Sequence, residues 1–183
     1  MVKHTAAIVL AFASAASIAA GPAKWPAAVV PAVPEADGYV VIPNAAVSPS
    51  KNHVYKAIFD STQGASDPKQ ILPALNMLGS ELNALAAVGV PPKNVRFVVA
   101  FHGAAVNGLL RDDAYRAKFQ TANPNLPVLS KLKALGVKLY VCGQFLAFEG
   151  SDPSALSPDV AVASDALIVL MTYQNRGFAL LSF

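Results

Sequence analysis

The sequence predicts an α/β domain in which a parallel sheet carries helices on both faces. Short runs rich in valine, isoleucine and aromatic residues alternate with longer segments of helical leucine spacing, as in successive β-α-β units. The strand candidates are continuous apolar runs rather than alternating ones, which indicates burial on both faces of the sheet. The chain has 183 residues, 54% of them hydrophobic, so it can form one domain with a sizeable core.

Residues 1–20 have the pattern of a signal peptide. Lys3 supplies the positive start, Thr5 to Ile18 form an alanine-rich apolar run, and small residues up to Ala20 provide a cleavage site. The apolar run is short for a membrane span of ~20 residues. We therefore expect cleavage, a periplasmic or secreted protein, and no stable membrane insertion. The alternative is an uncleaved leader that anchors the protein to the membrane.

Residues 21–52 are rich in proline, with six prolines between Pro22 and Pro49. Proline fixes φ and removes a backbone donor, so regular structure is not expected here. We interpret this segment as an N-terminal arm that packs on the domain or on a neighbouring subunit. The domain itself is expected to span residues 53–183.

The first strand candidate is Val54 to Phe59, a β-rich run that ends before Asp60. Pro68 to Val88 is predicted as a helix, because its leucines recur at three- and four-residue spacing. Asp67 is its expected N-cap. Pro73 either kinks this helix or marks its true start.

The second strand candidate is Asn94 to Phe101, and two short helices are expected over residues 104–110 and 112–119. Leucine spacing then predicts a helix from Leu126 to Leu135. The third strand candidate is Val137 to Val141.

One or two helical turns are expected from Phe145 to Glu149, followed by a Ser/Pro loop. Residues 160–162 form a brief fourth strand candidate. Ser164 to Asn175 is predicted as an almost wholly apolar helix, capped by Ser164 or Asp165, which suits the core or a subunit interface. Phe178 to Leu181 is the last strand candidate.

Polar residues that follow the strands are the candidates for chemistry, since ligands bind outside the carboxyl ends of parallel strands. Asp60 follows the first strand, His102 the second, and Cys142 with Gln144 the third. If the second and third strands are neighbours, His102 and Cys142 come close together. Asp60 could orient a ligand, but capping a helix is the expected role for it.

Cys142 is the only cysteine, so it cannot form an internal disulfide. A helix that begins just after it would favour the reactive thiolate, and His102 could favour it further or accept its proton. Gly143 would allow a ligand or another backbone to approach closely. The alternative is a buried cysteine that only fills space. Asn107 could bind a polar ligand or have a structural role in its turn.

Several function classes lack their sequence signals. There is no dinucleotide-binding or P-loop glycine pattern and no serine-hydrolase elbow, and a single cysteine excludes a dithiol motif. His4, His53 and His102 are too dispersed to predict a metal site. Without Lys3 the chain has 13 basic and 11 acidic residues, a net charge of +2. With no Lys/Arg block, this small excess argues against a nucleic-acid surface.

The order of several segments resembles the DsrE/DsrF/TusD family of sulfur-relay proteins. These segments are Phe101-His102-Gly103, the run from Val106 to Leu110, Asn123-Pro124-Asn125-Leu126, and the run from Leu132 to Cys142. The resemblance covers residues 53–183. It implies a three-layer α/β/α fold with a mainly parallel five-stranded sheet, and assembly as trimers or hexamers. It also implies that a cysteine at the position of Cys142 carries a persulfide, with no metal or organic cofactor.

Two functions from different classes are consistent with these residues. In the first, an exported member of the family carries sulfane sulfur on Cys142, exchanging it with donor or acceptor proteins. His102 then controls protonation of the thiol, while Gln144 or Asn107 positions the donor. In the second, the protein is a non-catalytic oligomeric module that binds a small ligand, and Cys142 is a buried structural residue.

Overall fold

A computed structural model describes residues 25–182 and contains a five-stranded sheet in which every neighbouring pair of strands is parallel. The predicted α/β class is therefore confirmed. The strand order is β4-β3-β2-β1-β5. The strands are β1 (Tyr55–Ser61), β2 (Val95–Phe101), β3 (Lys138–Cys142), β4 (Ala161–Ala163) and β5 (Ala179–Ser182).

Five α-helices connect or cover these strands. They are α1 (Pro73–Ala87), α2 (Asp112–Phe119), α3 (Asn125–Ala134), α4 (Gly143–Phe148) and α5 (Ala166–Gln174). The segment expected to be helical after β2 is a 3₁₀ helix, Gly103–Leu109. Asp165 caps α5 as predicted, because its carboxylate accepts the backbone N–H of Leu167 at 2.7 Å.

Helix α1 begins five residues later than the predicted start at Pro68, and Asp67 is not its N-cap. The residue before a proline is disfavoured in the α conformation, so Pro73 keeps Leu72 extended and becomes the first helical residue. The backbone N–H of Leu72 is satisfied by the side-chain oxygen of Asn125 at 2.7 Å. Asp67 instead closes a local turn by accepting the N–H of Lys69 at 2.8 Å.

Side-chain alternation along the strands divides the core into two layers. Odd-numbered residues of the central strands, such as Phe59, Val99 and Val141, are buried in the layer that contains α1 and α3. Even-numbered residues, such as Val98 and Cys142, are buried in the layer that contains α5. The sheet is thus covered on both faces, which explains why its strands are continuous apolar runs.

Residues 25–52 contain no regular strand or helix, and their one β-bridge joins Val29 to Tyr39. This segment packs on α1 through Val33, which is fully buried. The side chain of Asn83 on α1 accepts the backbone N–H groups of Ala32 and Val33, at 2.9 and 2.8 Å, and donates to the carbonyl of Asp37 at 3.1 Å.

No helix within residues 25–182 combines the length and the apolar character needed to cross a membrane. The predicted signal peptide, residues 1–20, lies outside the described residues.

Candidate functional site

Cys142 is at once the last residue of β3 and the N-cap of α4. Its Sγ accepts a hydrogen bond from the backbone N–H of Phe145 at 3.4 Å. The residue is only 6% exposed and packs among Ala100, Ala166 and other residues of the α5 layer. The thiol is therefore anchored at the carboxyl edge of the sheet, facing α5.

His102 and Asp60 form a pair at the same edge. Strands β1 and β2 are neighbours with Asp60 opposite Ala100 in the ladder, and His102 continues β2 with extended backbone. The Nε2 of His102 lies 2.7 Å from Oδ1 of Asp60, and the two side chains are 27% and 22% exposed. The capping role expected for Asp60 is therefore wrong, because its carboxylate faces a neighbouring strand and bonds to the imidazole.

The strand order also places His102 beside Cys142. Phe101 lies opposite Val141 in the β2–β3 ladder, so the next residue along each chain is His102 on one side and Cys142 on the other. Neighbouring strands are ~4.8 Å apart, and side chains at alternate positions share a face. Asp60, His102 and Cys142 therefore form a row of residues across the carboxyl ends of three adjacent strands, and the alternation puts all three on the α5 face. Within this row His102 bonds to Asp60, whereas the Sγ of Cys142 bonds to the backbone of Phe145 and not to His102.

Such a row suits thiol chemistry. A carboxylate that accepts a hydrogen bond from one imidazole nitrogen leaves the other nitrogen free to accept a proton. An imidazole oriented in this way is the usual partner of a nucleophilic cysteine.

Gly143 and Gln144 connect this edge to the end of β4. A Cβ atom on Gly143 would lie 2.6 Å from the carbonyl oxygen of Ala163, so only glycine fits there. The close approach that the sequence predicted is thus made by another backbone segment. The backbone N–H of Gln144 donates to the carbonyl of Ser164 at 3.2 Å, and its side chain is exposed.

Asn107 lies in the 3₁₀ helix after β2 and makes no hydrogen bond to Asp60, His102 or Cys142. Its Oδ1 accepts a hydrogen bond from Nζ of Lys118 at 2.6 Å, and its Nδ2 donates to the carbonyl of Ala104 at 3.2 Å. It lines a cleft of about 480 Å³, together with Phe145 and Glu149. Cys142 does not line this cleft. The structure therefore brings Asp60, His102 and Cys142 to one sheet edge and places Asn107 in a cleft that shares Phe145 with that edge.

A metal site was not expected from the sequence. Among residues 25–182, no three histidine, cysteine or acidic side chains are grouped so that they could hold a metal ion.

Sequence reasoning found the three residues of this row but missed the contact between Asp60 and His102. Both residues follow apolar strands, and that signal does identify the edge on which they lie. The missing information was the strand order, because Asp60 and His102 meet only if β1 and β2 are neighbours. The sequence did place Cys142 where a helix begins, and a backbone N–H near the start of α4, that of Phe145, does bond to its sulfur.

The fold that carries this edge is also found in proteins of known structure. The chain is similar to a protein of unknown function, MTH1491, from Methanobacterium thermoautotrophicum, with a TM-score of 0.54 and 22% sequence identity, covering 70% of this chain and 99% of that one. It is also similar to the ychN protein from E. coli, with a TM-score of 0.52 and 17% identity, again covering 70% and 99% of the two chains. No curated protein matches the sequence.

At these identities the two structures establish the fold alone. The model of the DsrE/DsrF-like family matches residues 56–183, which is most of the chain and includes all five strands except the first residue of β1. The chain therefore belongs to the DsrE/DsrF-like family.

Proposed function

We propose that the protein carries sulfane sulfur as a persulfide on Cys142. The observation that supports this most directly is the row of Asp60, His102 and Cys142 at the carboxyl edge of the sheet. Membership of the DsrE/DsrF-like family supports it independently, since the family resemblance implies a persulfide at this position.

The chemistry needs only the thiol and a proton acceptor. His102 takes the proton of Cys142, and the thiolate attacks the outer sulfur of a donor persulfide or of thiosulfate. A sulfur–sulfur bond forms on Cys142 while the donor's own sulfur–sulfur bond breaks, and a thiolate or sulfite leaves. An acceptor thiolate then attacks the outer sulfur of the Cys142 persulfide, which regenerates the Cys142 thiolate. No net oxidation occurs in either step.

Two features of the site suit a carrier. The hydrogen bond from the backbone N–H of Phe145 to Sγ stabilises negative charge on sulfur. The low exposure of Cys142, 6%, would protect a persulfide from oxidants in solution. Gln144, two residues after Cys142, is exposed and is the side chain that we propose for contact with an incoming donor.

The same burial favours the second candidate function, a non-catalytic module with a structural cysteine. Cys142 packs between Ala100 and Ala166 as a small apolar residue would. In that case the cleft lined by Asn107 is the place for a small ligand. The two functions differ in whether the thiol reacts while the protein is folded.

We extend the proposal to the setting of the protein. The pattern of residues 1–20 supports export to the periplasm or beyond, with the uncleaved anchor as the alternative. We propose donor or acceptor proteins and other copies of this chain as partners, and no nucleic acid.

The test is the intact mass of the purified protein after exposure to thiosulfate or polysulfide, with Cys142→Ser as the control. We expect a gain of one or more sulfur atoms that a reductant removes and that the variant lacks. Alkylation of the folded protein by iodoacetamide provides the second measurement. If no sulfur is gained and alkylation occurs only after unfolding, Cys142 is a structural residue and the binding module is the better proposal.

A further inference from the structure

A cluster of cations lies at the amino edge of the sheet, opposite the edge that carries Cys142. Lys56, Arg96 and Lys138 stand at the starts of β1, β2 and β3. All three are even-numbered and share the α5 face with the residues of that core layer. Arg176, just after α5, completes the group. We call these four residues the amino-edge cluster.

The register of the sheet sets these charges against one another. Lys56 lies directly opposite Arg96 in the β1–β2 ladder. Like charges in directly opposed positions destabilise a sheet. Lys138 lies opposite Val98, two residues beyond Arg96 on the same face of β2, and so adds a third positive charge to that face.

Within residues 25–182, no side-chain carboxylate forms an ion pair with this cluster. All eleven aspartate and glutamate residues of the chain fall within residues 25–182. The ion pairs found there use the carboxylates of Asp60, Asp112, Asp113 and Asp159, and none includes a member of the amino-edge cluster. The one hydrogen bond that joins two members runs from Nζ of Lys56 to the backbone carbonyl of Arg176 at 3.0 Å.

The cations surround two aromatic rings. The Arg176 guanidinium lies 5.3 Å and the Lys138 ammonium 6.0 Å from the ring centre of Tyr173. The Lys56 ammonium lies 5.7 Å from the ring centre of Phe178. These rings hold the flexible side chains near one another, which lowers the entropy cost of binding a shared ligand.

Tyr140 lies within the influence of two cations of the cluster, Lys138 and Arg176. Its hydrogen bond with Tyr173 and its burial raise the pKa of Tyr140, while the charges of Lys138 and Arg176 act to lower it. A negative charge placed among these cations would be attracted by the same field.

A cavity of about 260 Å³ opens beside three members of the cluster, and Lys56 does not line it. Arg96, Lys138 and Arg176 line it, together with Tyr173 and Phe178. Its walls thus supply two guanidinium groups, which bind oxyanions through paired N–H donors, and one ammonium group.

We propose that this cavity binds a multiply charged oxyanion of the phosphate type, either free or as the phosphate group of a nucleotide. Three observations support the proposal: Arg96 of the cavity wall lies opposite the like charge of Lys56, no cluster member has a carboxylate partner within residues 25–182, and three cations line the cavity. The site lies at the sheet edge opposite Cys142 and does not depend on the persulfide function.

The test is isothermal titration of the full-length protein with pyrophosphate, at low and constant ionic strength. We expect saturable binding that weakens about tenfold in each of Arg96→Gln and Lys138→Gln, since a hydrogen bond to a charged group contributes on that order. Lys131→Gln is the matched control. Lys131 is exposed on α3, and its substitution changes the net charge by the same amount. Cys142→Ser should bind as tightly as the wild type.

Thermal unfolding gives a second readout that does not depend on the titration. Pyrophosphate should raise the Tm of the wild type. Without pyrophosphate, Arg96→Gln should have a higher Tm than the wild type, because the like charge opposite Lys56 is removed. With pyrophosphate, the Tm of this variant should rise much less than that of the wild type. Titration with ADP and with adenosine distinguishes a free anion from the phosphate group of a nucleotide. If ADP binds only as tightly as pyrophosphate, the ligand is the free anion. If ADP binds more tightly than pyrophosphate and adenosine does not bind, the ligand is a nucleotide. The proposal is overturned if pyrophosphate shows no saturable binding, or if Lys131→Gln weakens binding as much as Arg96→Gln does.

Discussion

At the scale of single residues, the candidate site depends on one hydrogen bond that connects a carboxylate to an imidazole. The Nε2 of His102 lies 2.7 Å from Asp60, which fixes the ring orientation at the end of β2. Cys142 lies one strand away on the same face. In the proposed sulfur carrier, the carboxylate of Asp60 would therefore act on the thiol only through His102, as a positioning residue.

Asp60→Asn should slow the reaction of Cys142 with iodoacetamide in the folded protein by about tenfold. The amide cannot stabilise an imidazolium as a carboxylate does, and it does not select the same tautomer. The measurement is the pseudo-first-order alkylation rate across a pH series, because a loss of positioning changes the pH profile, whereas a general loss of stability does not. Asp67→Asn, an exposed change in a local turn, serves as the control. Equal rates for wild type and Asp60→Asn would show that the pair has no influence on the thiol.

At the scale of elements, α1 holds the proline-rich segment before β1 in place. Gly79 leaves room on α1 for Ala36 and Val33, while Asn83 one turn later bonds to the backbone of that segment. A buried asparagine with several backbone partners is costly to replace, because each partner would lose its hydrogen bond. The segment is thus held on α1 by close packing at Gly79 and by hydrogen bonds to Asn83 one turn later.

Gly79→Ala should destabilise the protein by about 1–3 kcal/mol, the usual cost of overpacking. The new methyl group would overlap the side chain of Ala36 and crowd Val33. Chemical denaturation gives the free energy of unfolding. Ala36→Gly combined with Gly79→Ala should recover most of the loss, because the overlapping methyl group is then absent. A double variant no more stable than Gly79→Ala would mean that the cost is not due to this contact.

Elements were easier to predict than their ends. Leucine spacing identified α1 and α3, and the cap of α5 is Asp165, one of the two residues that the sequence offered. The sequence left two starts open for α1, Pro68 and Pro73, and the second is confirmed. Local sequence could not decide between them, because a distant side chain, Asn125, satisfies the backbone N–H of Leu72 and so stabilises an extended residue there. Local sequence does not contain a partner 53 residues away. The same limitation concealed the pairing of Asp60 with His102.

At the scale of the whole molecule, the two faces of the sheet are covered unequally. Helices α1 and α3, with Val33 and Ala36 of the segment before β1, cover one face. Helix α5 packs across β1, β2 and β3 on the other. The outer side of α5 remains apolar, because Leu167, Ile168 and Met171 are 58%, 51% and 52% exposed. Exposed apolar groups that share one helix side are typical of protein interfaces.

The parallel sheet could be predicted from sequence, because strands that are buried on both faces are continuous apolar runs. The amino-edge cluster could not, since Lys56, Arg96 and Lys138 are far apart in the chain. Each is an ordinary charged residue at the start of a strand. Only the strand order and register bring them onto one face. Sites that are assembled from the ends of neighbouring strands depend on topology, which a single sequence with no local motif does not specify.

Ile168→Glu should convert an assembly of this chain into monomers. We expect the wild type to form trimers or hexamers through the outer side of α5, since self-association would remove the exposed side chains of Leu167, Ile168 and Met171 from water. A buried unpaired carboxylate at this position would be strongly unfavourable in an interface yet harmless on a monomer surface. Light scattering coupled to size-exclusion chromatography gives the mass directly. Met77→Glu, on the partly exposed side of α1, is the control and should leave the assembly intact. A wild type that elutes as a monomer, or an Ile168→Glu variant that keeps the wild-type mass, would exclude α5 as the contact between subunits.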